Sequence, residues 1–319
     1  MHKDAAIYIA GHNGMVGSAI LRLLEERGYT NLVWRSSKEL DLKDQSRVFE
    51  FFKSTRPSVV IDAAARVGGI LANNSYPYQF LMDNLQIQNN LIEASIENDI
   101  EKFIFLGSSC IYPKKAEQPL KEDALLTSSL EPTNQWYAIA KIAGVKACEA
   151  VRVQYGKDYV SLMPTNLYGP RDNFDLLTSH VLPAMIRKFH DAKENGHADV
   201  TLWGSGTPMR EFLFVEDLAL AVEFALNNKL PDNLYNIGTG QDITIKDLAI
   251  LIQNVVGHKG NIVWDASKPD GTPRKLMDVS KISELGWRHQ VSLSDGIVGT
   301  YEWFLKHQDS FKTLKINDR

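Results

Sequence analysis

The stretch AAIYIAGHNGMVGSAILRLLEERG, residues 5–28, decides the fold. AAIYIAG (5–11) is a short unbroken apolar run, which reads as a strand buried on both faces. MVGSAILRLLEERG (15–28) repeats its apolar residues at helical spacing and stops at Gly28. Between them Gly11, Gly14 and Gly17 form GxxGxxG. Alone, such a triplet marks only a tight turn needed for packing. With a buried strand before it and a helix after it, the glycines let the backbone approach a pyrophosphate, which then rests on the helix N-terminus. This predicts dinucleotide binding.

The alternation continues outward. NLVWR (31–35) reads as the next strand, and Asp44 caps a helix running to 54. SVVIDAAA (58–65) and KFIFLGSS (102–109) are further strands, with a helical pattern over about 77–98 between them. The helix carrying Tyr137 runs to about 155, and YVSLMPTNLYGP (159–170) follows as one more strand. Apolar strands alternating with helices mean an α/β fold built on a doubly wound parallel sheet of the Rossmann kind. After Pro170 the pattern loosens into RDNFDLLTSH, WGSGTPMREF and DASKPDGTPRK, rich in Gly, Pro and charge, which read as loops of a smaller domain. EFLFVEDLALAVEFALNN and LYNIGTG return to the sheet. The expected division is therefore interleaved: residues 1–170 with about 212–243 for the dinucleotide, and about 171–211 with 244–319 as a smaller α/β substrate-binding cap.

Composition narrows the function. The 319 residues are 44% hydrophobic and 23% charged, with a formal net charge of -4. These are values of a soluble globular protein with no broad basic surface for nucleic acid or anionic membrane. No run approaches a membrane span, and the N-terminal apolar run is too short for a signal-peptide core. There are two cysteines, Cys110 and Cys148, with no CxxC, and the eight histidines show no metal-ligand spacing. A reducing cytoplasm and no metal are expected.

Tyr137 and Lys141 stand one helical turn apart in YAIAK, so phenol and ammonium share a face. A neighbouring cation stabilises a phenolate, which predicts a lowered Tyr137 pKa. Ser108, in LGSSC, can hold a carbonyl oxygen against that phenol. Together these are equipment for exchanging hydride between a carbonyl and an alcohol. Cys110 lies two residues past Ser108, on the same face if the segment is extended. By itself Cys110 reads as a small buried hydrophobe. Cys148 continues the Ala140 and Gly144 spacing and suits a tight helix contact. At the end of the second strand stand Arg35, Ser36, Ser37 and Lys38, where an acid would select NAD; cations there favour the 2′-phosphate of NADP(H). Asp41 and Leu42 fall near the adenine, and Ala63, Ala64 and Ala65 near a close-packed strand end beneath the cofactor.

GxxGxxG, LGSSC, YAIAK and PTNLYGP resemble the extended short-chain dehydrogenase/reductase family. More narrowly, AAARVGGILANN, LGSSCIYP, EPTNQWYAIAKIAG, WGSGTPMREF and DASKPDGTPRK look like its GDP-L-fucose synthase branch, over about residues 5–305. The resemblance implies NADPH-dependent 3,5-epimerisation and 4-reduction of GDP-4-keto-6-deoxymannose to GDP-L-fucose, in a homodimer paired through the two long helices. It implies a reductase triad of Ser108, Tyr137 and Lys141, with Cys110 and His180 as epimerisation base and acid. Implied cofactor contacts are Gly11, Asn13, Gly14, Met15, Val16, Gly17, Leu106, Gly107, Ser108, Ser109, Pro164, Thr165, Asn166, Leu167 and His180. Implied GDP-sugar contacts are Ser109, Asn166, Lys188, Trp203, Arg210 and Asp270. Asn13 and Ser37 depart from arginines found in some relatives, and Phe214 stands where some carry His, which reads as packing.

The residues alone leave bland roles open for several of these: a capping role for His180, a surface cation for Lys188, an Arg210–Glu211 ion pair, a core aromatic at Trp203, a turn residue at Asp270. Another nucleotide-sugar epimerase, reductase or 4,6-dehydratase is the competing enzyme, although a dehydratase places an Asp-Glu pair where Ser109 and Cys110 stand. A non-catalytic dinucleotide sensor is disfavoured because both Tyr137 and Lys141 are present.

Overall fold

The computed structural model describes residues 1–176, 178–268 and 270–308. Strands β1 (Ile7–Ala10), β2 (Leu32–Val33), β3 (Val59–Asp62), β4 (Lys102–Leu106), β5 (Asp158–Pro164) and β9 (Leu234–Ile237) form a parallel sheet in the order β2-β1-β3-β4-β5-β9. The chain reverses its direction of winding between β1 and β3, where an open α/β sheet leaves a crevice for a ligand. Strand alternation splits the core in two. Ile7, Ile9, Val59, Ile61 and Ile104 face α1 (Met15–Glu26) and α7 (Val215–Asn227). Tyr8, Ala10, Val60, Phe103 and Phe105 face α2 (Gln45–Thr55), α4 (Pro77–Glu97) and α5 (Gln135–Tyr155). Each such fully buried side chain stabilises the fold by about 1.5–3 kcal/mol before entropy is counted. As expected, Asp44 caps α2, accepting from the Arg47 amide at 3.2 Å. The short α3 (Ile70–Ser75) leads into α4.

In the small stripe Ala140, Gly144 and Cys148, Ala140 O accepts from Gln88 Nε2 of α4 at 2.7 Å, while Gly144 meets a strand. A Cβ on Gly144 would sit 2.4 Å from the Phe105 ring, so α5 lies directly on β4. That close approach brings the Tyr137 end of α5 to the C-terminal edge of the sheet.

Two sequence readings need correction. Residues 159–170 are two strands in different sheets: β5, then β6 (Asn166–Tyr168). Pro164 ends β5 because it has no amide for a further ladder bond. The next two side chains are drawn away, Thr165 Oγ1 and Asn166 Nδ2 both donating to Glu211 O, at 3.3 and 2.8 Å. Glu211–Phe214 likewise leaves the main sheet. It belongs to β8 (Met209–Phe214), which pairs with β6 and β12 (Arg274–Lys275) in parallel and β10 (Asp242–Thr244) antiparallel. The Glu211 carboxylate is buried and accepts from the amides of Thr239 (2.6 Å), Gly240 (2.8 Å) and Met277 (2.9 Å), tying the second sheet to the end of β9.

Beyond it, β7 (Asp199–Trp203) and β11 (Asn261–Asp265) form a parallel pair. Helices α6 (Val181–Glu194), α8 (Ile245–Val256) and α10 (Leu293–Lys306) close a third core around Phe174, Phe189 and Phe304, while α9 (Ser280–Glu284) packs beside β9. Phe214 is packing, its ring 5.6 Å from that of Tyr168. No helix among the described residues is long and apolar enough to cross a membrane.

Candidate active site

The glycine turn packs backbone against backbone where side chains would clash. Gly11 has φ +81°, and a Cβ there would lie 2.6 Å from Ala63 O; a Cβ on Gly17 would lie 2.2 Å from Gly11 O. Gly14 caps α1 with no side chain, leaving the amides around Met15 and Val16 open at the positive end of the helix. Ala63, Ala64 and Ala65 continue from β3 directly beneath.

At the end of β2, Arg35 Nη1 donates to Trp34 O at 2.7 Å, and its guanidinium lies 5.3 Å from the centre of the Phe51 ring. Ser37 and Lys38 are exposed on the following turn. Glu39 curls back here, accepting from Ser36 N at 2.7 Å and Ser36 Oγ at 2.6 Å. Those two bonds, from the Ser36 side chain first, hold its carboxyl below the usual range. The linear reading placed no acid near this subsite; the turn supplies one. Asp41 is exposed and accepts from Lys43 N, whereas Leu42 O accepts from Asn90 Nδ2 at 2.8 Å.

At the end of β4 the chain turns at once. Ser108 caps a single 3₁₀ turn, Ser109–Ile111, with Oγ accepting from Cys110 N at 3.4 Å. Ser108 and Cys110 are thus neighbours on a tight turn, not on an extended segment. Gly107 has no room for a side chain against Met163. Across from them, Lys141 is buried and donates from Nζ to Leu106 O at 2.8 Å, 6.0 Å from the Tyr137 ring centre.

The electrostatics differ from expectation. Burial, with Cys110 and Asp62 adding, pushes the Tyr137 phenol well up. Tyr137 is therefore held protonated, in the form that donates a proton. Burial also raises the Cys110 thiol, while Lys275, the Ser108 hydroxyl and Lys141 pull it down. Burial lowers Lys141, and Asp62 acts against that.

His180 is the N-cap of α6, without a side-chain capping bond. Its ring keeps exposed surface, yet protein surrounds it closely enough that desolvation lowers its pKa, with Lys275 adding to the shift. The imidazole is consequently neutral near pH 7. Further out, Lys188 Nζ donates to Thr201 O at 2.9 Å and sits 6.0 Å from the exposed Trp203 ring; Lys268 flanks the same ring at 5.6 Å. Arg210 donates from Nη1 to Met209 O at 2.8 Å and makes no ion pair with Glu211 among the described residues; the charge of Asp270 works against the lowering of its pKa by burial. Asp270 accepts from Ser205 N at 2.6 Å and Ser205 Oγ at 2.8 Å.

The structure thus brings Ser108, Cys110, Tyr137, Lys141 and His180 toward one another, with Pro164, Thr165, Asn166 and Leu167 at the adjoining strand ends. Lys188, Trp203, Arg210 and Asp270 form a neighbouring patch. Lys275 links the groups, since its charge acts on Cys110, His180 and Arg210. Sequence reading singled out only Asp270 from DASKPDGTPRK and missed Lys275. Its sole signal was a lysine at the end of that block, and only the β12–β8 register (Lys275 opposite Arg210) places it.

Asp172, in the loop before His180, is buried. Its Oδ1 accepts from Asn173 N at 2.7 Å and its Oδ2 has no partner. Burial lifts its pKa to about 7. A raised carboxylate pKa means the unfolded chain releases this proton first. Stability is then lost as pH rises from the ordinary carboxylate range to about 7. Asp172→Asn keeps the amide contact without the charge. It is expected to raise unfolding free energy near pH 8 by at least ~1 kcal/mol, and to change it little near pH 4. Urea melts at both pH values measure this; an equal effect at both would remove the charge argument.

The family model described as "NAD dependent epimerase/dehydratase family" matches residues 7–238. The chain is 58% identical to GDP-L-fucose synthase 1 of Arabidopsis thaliana over 305 residues, covering 96% of this chain and 94% of that protein. It is 56% identical to GDP-L-fucose synthase of Escherichia coli (strain K12) over 315 residues, covering 96% and 98%. A solved GDP-mannoheptose C4 reductase from Campylobacter jejuni with NADP bound superposes with TM-score 0.89 at 39% identity, covering 96% of this chain and 99% of that one. The turn at Gly11–Gly17, the Tyr137–Lys141 helix and these likenesses agree: the chain belongs to the NAD dependent epimerase/dehydratase family, the extended short-chain dehydrogenase/reductases, in the branch of the GDP-L-fucose synthases.

Proposed function

We propose that this chain uses NADP(H) to convert GDP-4-keto-6-deoxymannose to GDP-L-fucose, inverting C3 and C5 and then reducing C4. The observation that carries the reading is the meeting of a protonated Tyr137 with both Cys110 and His180 at one edge of the sheet. A plain ketoreductase needs only the first.

The residues fit the cofactor. Gly11 and Gly17 let the turn pack backbone to backbone where a Cβ would clash, and the amides at the start of α1 are left open for a pyrophosphate. Lys141 lies where it can bond the nicotinamide ribose. When bound, NADPH supplies the hydride for C4. Ser108 and Tyr137 hold O4 of the sugar. The C4 carbonyl acidifies the hydrogens on C3 and C5, and charge developing on O4 is what Ser108 and Tyr137 stabilise. Cys110 removes those protons and His180 returns them from the other face. Starting as thiol and neutral imidazole, the pair reaches its working charges by passing one proton from Cys110 to His180. Tyr137 finally protonates O4. Arg210 and Lys188 bind the diphosphate, Trp203 stacks on base or sugar, and Asp270 takes a ribose or guanine donor.

The test is NMR of the product formed from GDP-4-keto-6-deoxymannose and NADPH. GDP-L-fucose is expected; a 6-deoxy product with C3 and C5 unchanged would sink the epimerase part. For the cofactor, Arg35→Ala is expected to raise the NADPH Michaelis constant at least ~10-fold more than the NADH one, since one charged contact is worth about 1.5–3 kcal/mol. Equal changes would take Arg35 out of the 2′-phosphate site. We place the enzyme in the cytoplasm as a homodimer. Exposed Tyr78 on α4 and Trp136, Ile139, Val153 and Tyr155 on α5 support that pairing, and a monomer mass by light scattering would overturn it.

A further inference from the structure

We propose that Asp62 is a positioning residue for the reduction: a buried carboxylate that keeps Lys141 an ammonium under the cofactor. This rests on the reading of Tyr137 and Lys141 given above, and it adds a residue that no motif points to.

Asp62 is the last residue of β3, opposite Ala10 on β1 and Phe105 on β4. Alternation along β3 puts Ile61 on the α1 face and Val60 and Asp62 on the α5 face. A carboxylate here, within a parallel sheet and at 0% exposure, is out of place unless it serves a charge. Its Oδ1 accepts from Ala64 N at 3.1 Å, while its Oδ2 is buried with no partner.

Lys141 is the complementary anomaly. Its Nζ is buried, donates to Leu106 O, and lies 4.6 Å over the Phe105 ring, on the residue opposite Asp62 across the strand pair. No carboxylate among the described residues is within ion-pair distance of it. After burial, Asp62 is the leading influence on Lys141, and Lys141 the leading influence opposing burial at Asp62. A lysine with spare donors and a carboxylate with a spare acceptor therefore face each other with no direct contact. The other titratable groups that feel Asp62 are Tyr8 on β1 and Tyr137 and Cys148 on α5; all three are neutral at pH 7, their pKa values raised chiefly by burial. Asp62 is thus the only ionised partner Lys141 has on this face among the described residues. It also raises the Tyr137 pKa, which favours the phenol and so the direction of reduction. The carboxyl itself titrates at about 6, inside the working range.

The test is a pH titration of Lys141 by ¹³C NMR in protein labelled at lysine Cε, with the signal assigned through Lys141→Met. In Asp62→Asn and Asp62→Leu the Lys141 midpoint is expected to fall by about one pH unit or more, the usual effect of removing a close opposite charge. Asp62→Asn keeps an acceptor for the Ala64 amide, and circular dichroism at each pH checks that both variants are folded. The wild type supplies a check independent of both variants: its Lys141 signal should show a second, smaller inflection near pH 6 as Asp62 titrates. A wild-type curve with one inflection, or an unmoved midpoint in the variants, would overturn the proposal. The reduction rate then locates the role. Asp62→Asn should lose rate increasingly as pH rises, and should have no further effect in a Lys141→Met background, where a merely structural role would still lower it. If the wild type reduced no GDP-keto sugar, the proposed function would fail, while the titration would still decide Asp62.

Discussion

Tyr137→Phe is expected to lower the reduction rate by roughly 10²–10⁴, the worth of a positioned proton donor. The phenol sits one turn before Lys141 on α5, half-buried and edge-on to Phe80 at 6.5 Å, so the ring stays in place when the hydroxyl is removed. Burial, then Cys110 and Asp62, keeps the hydroxyl protonated. The loss should therefore appear in the chemical step, with NADPH affinity nearly unchanged, because the hydroxyl acts at O4. Stopped-flow NADPH oxidation separates the two, and near-normal turnover would remove Tyr137 from the mechanism.

Cys110→Ser is expected to stop deuterium uptake from heavy water into C3 and C5, because a serine hydroxyl is far less acidic than a thiol. Hydride transfer does not need the thiol. The unepimerised ketone should still be reduced slowly, giving GDP-6-deoxy sugars other than GDP-L-fucose. His180→Asn should slow exchange too, unequally at C3 and C5 if it serves one face. The pH dependence has a definite sign. Cys110 must lose a proton to act as base, and burial raises its pKa. His180 must in turn carry that proton as the acid, so exchange should stay level while the pair keeps its one proton and fall with rising pH once that proton is lost to solvent, whereas reduction, which draws on a phenol held well up, stays flat over the same range. If Cys110→Ser exchanged deuterium at the wild-type rate, the base would lie elsewhere and Cys110 would be a small buried side chain in the 3₁₀ turn.

Much of this site is legible along the chain, because its parts are local. A strand, a glycine turn and a helix start are contiguous in residues 5–28, and Gly11 and Gly17 are explained by the backbone a Cβ would strike there. Tyr137 and Lys141 share a face through helix geometry alone. Ser108 and Cys110 lie in one pentapeptide, although their spatial relation is not read from spacing alone. The linear spacing suggested an extended segment, and the structure closes it into a turn capped by Ser108.

The pKa values were not legible, because they depend on what surrounds a group rather than on its neighbours in sequence. Lys141 by itself predicts an acidified phenol at Tyr137. Only the fold shows that burial outweighs the cation, and that Asp62, 79 residues before Lys141, brings an opposing charge. Glu39 curls back onto Ser36 by a turn after β2, and Lys275 comes within reach of Cys110 through pairing between strands 65 residues apart, Arg210 and Lys275. Sequence by itself determined the parallel sheet, the dinucleotide turn and the shared face of Tyr137 and Lys141, since periodicity and i,i+4 spacing act over one turn or one strand. The tertiary structure decided which charges converge and which sheet each late strand joins, since desolvation and strand pairing are set by residues tens of positions away.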